Sequence, residues 1–539
     1  MPGETRLVAC LWVIFVVRGL FYAAFIPLWE GFDEWAHYAV IQRLALGKQL
    51  LVARGERVSR EVDASLQLAP SIYGSLSRDT YWQFPESQRA DYERNLRSIP
   101  VAWAGEPAIG GHPAYEGQQA PLYYWVFAGA YRLMAGLPFL TRVWLLRFSS
   151  LLVASSAVPA SFLLARGIFG SAARAVETAA MVAAIPQLMM TVTHIGNDSL
   201  AVAIGSWLLV ALFWWKKLPE SGPRAVTLGI VVGLALLTKA YLLAFLPPLG
   251  ILVGLLAIRK KGVIRQALVL VICAGILSGW WYVRTWVLTH SLSGDQVEMA
   301  GNRAGTGFVR AAREMRWGPA LDFTFLSHVW LGNWSFLVVR SWMYRFFAVL
   351  AGLAALGLIS RLKRHGLLLL TGIYLSFVAG LGYHAVRTYQ ASGTLGTLGY
   401  YLFPVVAVEV ILVTAGLKAI APSVLRPAVV PGGVFGLLAL EFFGVHFCAI
   451  PYYTGLIARL PGGGLPALHL AQIRGGGLWL MAERLSVDKP RFLSPAAIAI
   501  AWILFLAATV SLMALACAMA RKQPGRQRNP EADWGAIGP

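Results

Sequence analysis

The sequence predicts an all-α polytopic membrane protein: a bundle of about twelve transmembrane helices with a large first extracytoplasmic loop and juxtamembrane helices. Three observations predict it. Of 539 residues, 57% are hydrophobic and only 13% are charged, a balance outside the usual range of soluble domains. The apolar residues gather in roughly a dozen runs near the ~20 residues that one bilayer crossing needs. The basic residues sit in the short breaks between those runs.

The excess of 46 Lys and Arg over 26 Asp and Glu gives a formal charge of +20. A nucleic-acid partner would need a basic stripe interleaved with aromatics, and none is present, so no nucleic acid is expected. Loops retained in the cytoplasm collect Lys and Arg, and that accounts for the charge. Cys10, Cys273, Cys448 and Cys517 all fall inside apolar runs, where cysteine behaves as a small hydrophobe. Neither a disulfide framework nor a CxxC metal site is visible.

The first apolar run, about residues 7–28, is longer than a signal-peptide core and lacks a small-x-small cleavage site, so it reads as a retained first span. Basic breaks follow around Arg166 and Arg174, at Lys216, Lys217 and Arg224, at Arg259, Lys260, Lys261 and Arg265, and at Arg361, Lys363 and Arg364. Two more lie at Lys418 and Arg426 and at Arg521, Lys522, Arg526 and Arg528. With all of these cytoplasmic, the spans pair into outward excursions and both termini are cytoplasmic. The outer turns then fall at Asn197-Asp198, at Lys239 and in loops 286–335, 385–397 and 451–494. The run 121–137 is apolar enough to insert, but as a full span it would invert every later loop. It is expected to be a re-entrant or interface-lying helix. The polar tail 521–539 is expected to be disordered and cytoplasmic.

The first outer loop opens with Pro27-Leu-Trp-Glu-Gly-Phe-Asp-Glu-Trp-Ala-His37. After the paired acids Asp33 and Glu34, residues Ala36, Val40, Ile41, Leu44 and Ala45 recur at helical spacing, opposite Arg43 and Lys48. This predicts a short amphipathic helix on the membrane surface. Asp33 could be its N-cap, with Glu34 in the first turn favoured by the helix dipole. Both residues could equally be working carboxylates.

An acidic pair just after the first span, then His37 and a short helix ending near Leu-Ala-Leu-Gly47, resembles the opening of the GT-C glycosyltransferases, which include protein O-mannosyltransferases and aminoarabinose transferases. Further segments follow in that superfamily's order. Tyr115-Glu-Gly-Gln-Gln-Ala-Pro-Leu-Tyr-Tyr124 is similar to its acidic/polar-Pro-Leu-Tyr-Tyr segment, with Ala120-Pro121 in place of the usual paired prolines. Residues 147–170 resemble the helix closing with Leu-Ala-Arg-x-x-Phe-Gly. Ile185-Pro-Gln leads to Gly196-Asn-Asp-Ser-Leu200, like the second acidic site, and Gly233-Leu-Ala-Leu-Leu-Thr-Lys239 resembles the Gly-x-x-x-x-Thr-Lys helix. The likeness covers roughly the first 290 residues and is topological afterwards. It implies residues 1–285 as a catalytic transmembrane module with outer loop 28–120, and residues 286–520 as the remaining helices and their outer loops.

The resemblance implies an enzyme of the cell envelope: a hexosyl or pentosyl transferase moving a sugar from a polyprenyl-phosphate donor to an acceptor hydroxyl of a glycan, lipid or protein. It also implies a bacterial inner membrane, an active site facing the periplasm or cell exterior, and inversion in a single displacement. Phosphate is already a good leaving group, so the acceptor hydroxyl is the group that needs a base. Asp33 or Glu34 is the candidate, with Asp33 preferred. Lipid phosphate needs cations, which are disfavoured at membrane depth by about 2.5–3.5 kcal/mol. Lys239 fits best, against simple snorkelling of its side chain. Arg284 and Arg387 are further candidates, while Arg18 could face the same cavity or form a buried ion pair.

Asp198 could contact substrate or cap the helix beginning at Ser199. Glu116 is a further substrate-contacting candidate. His37, four residues after Asp33, makes a divalent metal conceivable, but the spacing is a poor metal signature; no cofactor is expected to be required. His112, His194 and His384 are read as structural. The tryptophans at 280–281 and 330–334 are read as interface anchors. A flippase or transporter is disfavoured because no inverted repeat or paired broken helices are visible. A glycan ligase or polymerase would rely on outer-loop arginines instead of Asp33 and Glu34.

Overall fold

The computed structural model describes residues 2–521 apart from 49, 51–55, 75, 290–291, 293–306, 363–365, 470, 472 and 474–476. The tail beyond 521, part of loop 286–335, and Lys363, Arg364, Lys522, Arg526 and Arg528 of the basic turns lie outside the described residues.

Helix α1 (Pro2–Phe25) leads into the first loop, which folds as α2 (Glu34–Ala45), α3 (Arg60–Leu68), α4 (Arg78–Tyr81), α5 (Glu86–Arg97) and α6 (Leu122–Leu133). Next, α7 (Phe139–Ser155) and α8 (Ala157–Phe169) form one long crossing, and α9 (Ala172–Ala184) with α10 (Pro186–Val192) a bent one. They are followed by α11 (Asp198–Lys217), α12 (Gly222–Leu236), α13 (Leu246–Arg259) and α14 (Gly262–Thr289). Beyond α15 (Phe308–Glu314) and α16 (Trp317–Val329) come α17 (Ser341–Ile359), α18 (Leu367–Ser392), α19 (Val406–Ile420), and α20 (Val429–Phe443), which continues through a π turn into α21 (Ile450–Tyr453). The last two helices are α22 (Gly477–Leu485) and α23 (Pro495–Arg521).

Among the described residues, ten stretches are long and apolar enough to cross a membrane singly, eleven if the bent pair is one crossing, and with the shorter α12 the total is close to the dozen expected from the apolar runs. The chain is an integral multi-pass membrane protein. Strands are absent among the described residues, and two isolated bridges, Arg57 with Pro113 and Ser59 with Pro107, tie the limbs of the first loop together. The turn between α8 and α9 lies at the end of the bundle where α1 begins. Glu4 and Arg166 meet there at 3.7 Å. The opposite end carries the long loop.

Helix α11 lies at the centre, with 72% of its apolar window buried, whereas α17 at the rim has 17%. The break between α9 and α10 follows from Pro186, which has no N–H to continue the ladder and disfavours helical geometry at Ile185; the two pieces bend by 64°. Arg18 donates to the Ala183 carbonyl beside this break. The same guanidinium pairs with Glu441 of α20 at 2.6 Å, and Tyr22 donates to that carboxylate at 2.8 Å. Arg18 therefore belongs to a buried ion pair that staples α1 to α9 and α20.

Helices α17 and α19 touch backbone to backbone. A Cβ on Gly416 would lie 1.9 Å from the Ala354 carbonyl oxygen, and one on Gly357 2.1 Å from the Gly416 oxygen. Gly416→Ala is expected to destabilise the bundle by about 1–3 kcal/mol through overpacking, read as a lower midpoint in thermal size-exclusion analysis. An unchanged midpoint would mean the two helices do not approach this closely.

Two expectations about the first loop fare differently. Helix α6 has twelve residues, about 18 Å at ~1.5 Å per residue, too short to cross. It presses Tyr123, Tyr124, Phe127 and Tyr131 inward and exposes Trp125, Val126 and Leu133, as an interface-lying helix would. Helix α2, expected to be two-faced, is instead buried nearly all round: Glu34 to Gln42 and Leu44 are covered, and only Arg43 and Ala45 are half-exposed. Arg43 and Lys48, the side assigned to water, stay half-exposed and exposed, while the loop helices and α6 cover the rest of the helix.

Candidate active site

The loop end brings together four ionisable residues that lie far apart in sequence. Asp33 occupies the N-cap position of α2, but its backbone is left-handed (φ 53°, ψ 20°) and its side chain caps nothing. Asp tolerates this region better than most residues, at some strain. The left-handed turn points the carboxylate away from its own helix, and Oδ1 accepts a 2.6 Å hydrogen bond from the Tyr115 hydroxyl. Burial raises the Asp33 carboxyl above its ordinary range, against the Tyr115 hydrogen bond and the charge of Lys239. Gly31 lets this turn pack against the segment before α11, since a Cβ there would sit 2.5 Å from the His194 side chain.

Asp198, the first residue of α11, is not a helix cap either. Its Oδ1 receives the Lys239 ammonium at 2.7 Å and the Tyr241 hydroxyl at 2.8 Å. Lys239 lies where α12 gives way to the 3-10 turn Ala240–Phe245. Its ammonium is 5.1 Å from the Tyr241 ring centre and 4.7 Å from that of Tyr401, a cation–π arrangement. The side chain is buried and paired, so it does not snorkel to the surface.

Glu116 begins a 3-10 turn and is buried. Burial and the neighbouring charge of Asp33 push its carboxyl up to about 8, against the attraction of Lys239 and a hydrogen bond with Gln119. Asp198 contacts the one ammonium while Asp33 and Glu116 feel its charge, and the surplus negative charge among the three acids favours a proton on Glu116. The folded protein holds this proton above the usual carboxyl value of 4.5. The associated stability is complete below pH ~4.5 and lost as pH rises towards ~8. Glu116→Gln should remove that loss, raising the thermal midpoint relative to the native protein more at about pH 8.5 than at about pH 5. Equal changes at both pH values would contradict a proton held there.

His37, in the first turn of α2, shares a 2.8 Å hydrogen bond with the Tyr124 hydroxyl. Burial, with Lys239 and His194 nearby, holds its imidazole well below the ordinary value, so it is neutral. Beside Asp198, the buried Asn197 donates to Gln119 at 3.3 Å, and among the described residues its Oδ1 has no hydrogen-bond partner.

Glu34 has different surroundings. Arg147 of α7 grips both its oxygens, at 2.7 and 2.6 Å, and the Ile195 N–H donates to it at 3.1 Å. Arg147 also donates to the carbonyls of Ile26 and Pro27 at 2.7 Å each. Burial alone would raise the Glu34 carboxyl, but Arg147 overrides it and holds the group below its usual value. The fork ties the end of α1, the start of α2 and α7 together.

The two remaining cations have partners of their own. The Arg284 guanidinium lies over the ring of Trp281 on its own helix at 5.2 Å, and Trp281 packs on Ala120 and Leu237. Among the described residues, no hydrogen bond or ion pair joins it to the acids. Arg387 donates to Gln390 one turn along α18, at 2.9 Å. No group of three or more His, Cys, Asp or Glu is arranged to hold a metal among the described residues.

Sequence patterns singled out the four clustered residues and Glu34 but missed Tyr115, Tyr241 and Tyr401 as partners within the cluster and Arg147 as the partner of Glu34. Arg147 had a signal: an arginine within an apolar run must find an acid.

No family model matches the chain, and no curated protein matches it. Among solved structures, it is similar to ArnT from Cupriavidus metallidurans bound to undecaprenyl phosphate, with 16% identity, a TM-score of 0.42, and coverage of 89% of this chain and 73% of that one. ArnT of the same organism in the apo state gives 15% identity, a TM-score of 0.40, and coverage of 90% and 76%.

Proposed function

We propose that the chain is a GT-C-type glycosyltransferase that moves a sugar from a polyprenyl-phosphate donor to an acceptor hydroxyl at the loop end of the bundle, on the extracytoplasmic face of a bacterial inner membrane. One observation carries this reading. The separate segments that resemble the superfamily contribute Asp33, Glu116, Asp198 and Lys239, and these residues meet in one cluster. A resemblance by chance gives no reason for such convergence.

Asp33 is the base in this reading. Among the described residues, its carboxylate has the Tyr115 hydroxyl alone as a hydrogen-bond partner, and its raised proton affinity strengthens it as a proton acceptor. The acceptor oxygen attacks the anomeric carbon as Asp33 takes its proton, the bond to the phosphate oxygen breaks, and the configuration inverts. Lys239, already charged and framed by Tyr241 and Tyr401, holds the donor phosphate by exchanging Asp198 for it. Glu116, protonated at neutral pH, donates a hydrogen bond to the donor, and His37 and Tyr124 border the same space. Glu34 is assigned to the scaffold. Arg284 and Arg387 serve in this reading as supplementary cations for the lipid phosphate, and no metal takes part in the step.

Lys239→Met tests the donor site. With the full-length protein in nanodiscs, the KM for a polyprenyl-phosphate sugar is expected to rise by about 10–100-fold, the effect of losing a charged hydrogen bond of about 1.5–3 kcal/mol. Equal binding of polyprenyl phosphate by the native protein and the variant would remove Lys239 from the donor site.

A further inference from the structure

Helix α16 carries a half-buried histidine that the proposed transfer step leaves unused. Both nitrogens of the His328 ring are engaged: Nδ1 lies 3.0 Å from the Gly399 carbonyl and Nε2 2.7 Å from Oε1 of Glu409 on α19. A carbonyl only accepts, so one ring proton sits on Nδ1. The contact with the carboxylate needs a second proton, whether the ring or the acid carries it. If that proton leaves, two acceptors face each other with nothing between them to share. The other Glu409 oxygen has no hydrogen-bond partner among the described residues.

Burial alone would lower the His328 imidazole, but Glu409 and the hydrogen bonds override it and hold the group above its ordinary value. Glu409 also acts electrostatically on the Tyr374 hydroxyl of α18. Helix α10, packed against α16, has no ionisable side chain, Tyr344 of α17 donates to the Trp330 carbonyl, and Asp322 and Arg345 are exposed. The tie is therefore complete below the ordinary histidine value of about 6.5 and is lost as pH rises through the higher folded value.

Gly399 opens the 3-10 turn Gly399–Val405, which runs directly into α19. Its N–H donates to Ser327 at 2.7 Å, Thr324 donates to the Thr397 carbonyl at 3.0 Å, and a Cβ on Gly399 would lie 2.0 Å from the Thr324 carbonyl oxygen. Within the turn, Tyr400 packs on Phe32, the neighbour of Asp33, at 5.4 Å, and the Tyr401 ring faces the Lys239 ammonium at 4.7 Å. His328 bridges both ends of this turn, Gly399 at its start and Glu409 in the first turn of the helix that follows it.

We propose that, with Lys239 as the donor-phosphate site proposed above, His328 and Glu409 form a proton-dependent latch that positions Tyr400 and Tyr401 around that site. Alkalinisation opens the latch and loosens the hold on the donor phosphate. His328 is a positioning residue and touches no substrate.

Glu409→Gln keeps the bond and removes the proton dependence: neutral His328 still donates to Gly399, and its Nε2 accepts from the glutamine amide at any pH. His328→Phe removes both hydrogen bonds. The full-length native protein, these two variants and Lys239→Met are compared in nanodiscs at about pH 6 and about pH 9, either side of the histidine range. Affinity for polyprenyl phosphate and amide exchange of segment 397–405 are both measured. Glu116 and the ligand titrate alike with native protein and Glu409→Gln, so their effects cancel in the ratio. The two proteins are expected to match at the lower pH. At the higher pH the native protein should bind about 5–10-fold more weakly, the effect of one hydrogen bond, and exchange the segment correspondingly faster. His328→Phe should bind weakly and exchange fast at both. A native-to-Glu409→Gln ratio that stays constant with pH, or native exchange and affinity in His328→Phe, overturns the latch. If exchange follows the expected pattern while His328→Phe and Lys239→Met both bind as the native protein does, the latch stands and the donor site at Lys239 falls.

Discussion

Asp33→Asn is expected to lower sugar transfer by about 10²–10⁴-fold, the usual contribution of a positioned general base, while leaving the protein folded. The substitution is nearly isosteric, and Asn adopts left-handed backbone at least as readily as Asp. The Tyr115 hydroxyl can still donate to the amide oxygen, so the 2.6 Å contact has a replacement. Only the ability to take a proton is lost. Because transfer is read as kcat with donor and acceptor saturating, the loss should appear in kcat with little change in either KM. Activity within a factor of three of the native protein, in a folded sample, would exclude Asp33 as the base. The acid limb of the pH profile should also move: the raised Asp33 carboxyl must be ionised to act, so native transfer should fall on acidification from a higher pH than an ordinary aspartate would give.

The sequence made the architecture legible because bilayer physics is one-dimensional. Apolar length marks a crossing, and the basic turns fix which crossings pair, so the alternation could be worked out without a single contact. The charged cluster was legible for a related reason. Asp33, Asp198 and Lys239 sit at the ends of apolar runs, where a charge has no packing role to explain it. What sequence could not supply was partner choice. The Glu34–Arg147 fork joins α2 to α7, and Arg484 of α22 stacks on Trp82 at the end of α4; neither pairing is implied by spacing along the chain. The periodicity of α2 misled for a physical reason as well. Arg43 and Lys48 keep the exposure expected of them, but Gln42 beside Arg43 is covered by loop helices whose own polar groups satisfy it: Gln42 donates to Glu61 at 2.5 Å and to Tyr131 at 3.1 Å.

Glu34→Gln should act on stability far more than on chemistry. Both Glu34 oxygens are held by Arg147, and both groups are buried. Removing one charge of such a pair strands the other in a dry environment, at about 3–5 kcal/mol, a large share of the ~5–15 kcal/mol that holds a typical domain folded. Arg147 would keep its hydrogen bonds to the Ile26 and Pro27 carbonyls, so the cost should fall towards the lower figure. Arg147→Met alone should be at least as damaging, because it strands Glu34 and also frees those two carbonyls. The double variant, Glu34→Gln with Arg147→Met, should recover part of the loss, since no buried charge remains unpaired. Thermal midpoints of the four proteins give the coupling directly. At a temperature where each remains folded, Glu34→Gln should keep most of its kcat. If Glu34→Gln instead kept the native midpoint and lost transfer as Asp33→Asn does, the scaffold assignment would fail, and the acidic pair would have to be read as two working carboxylates.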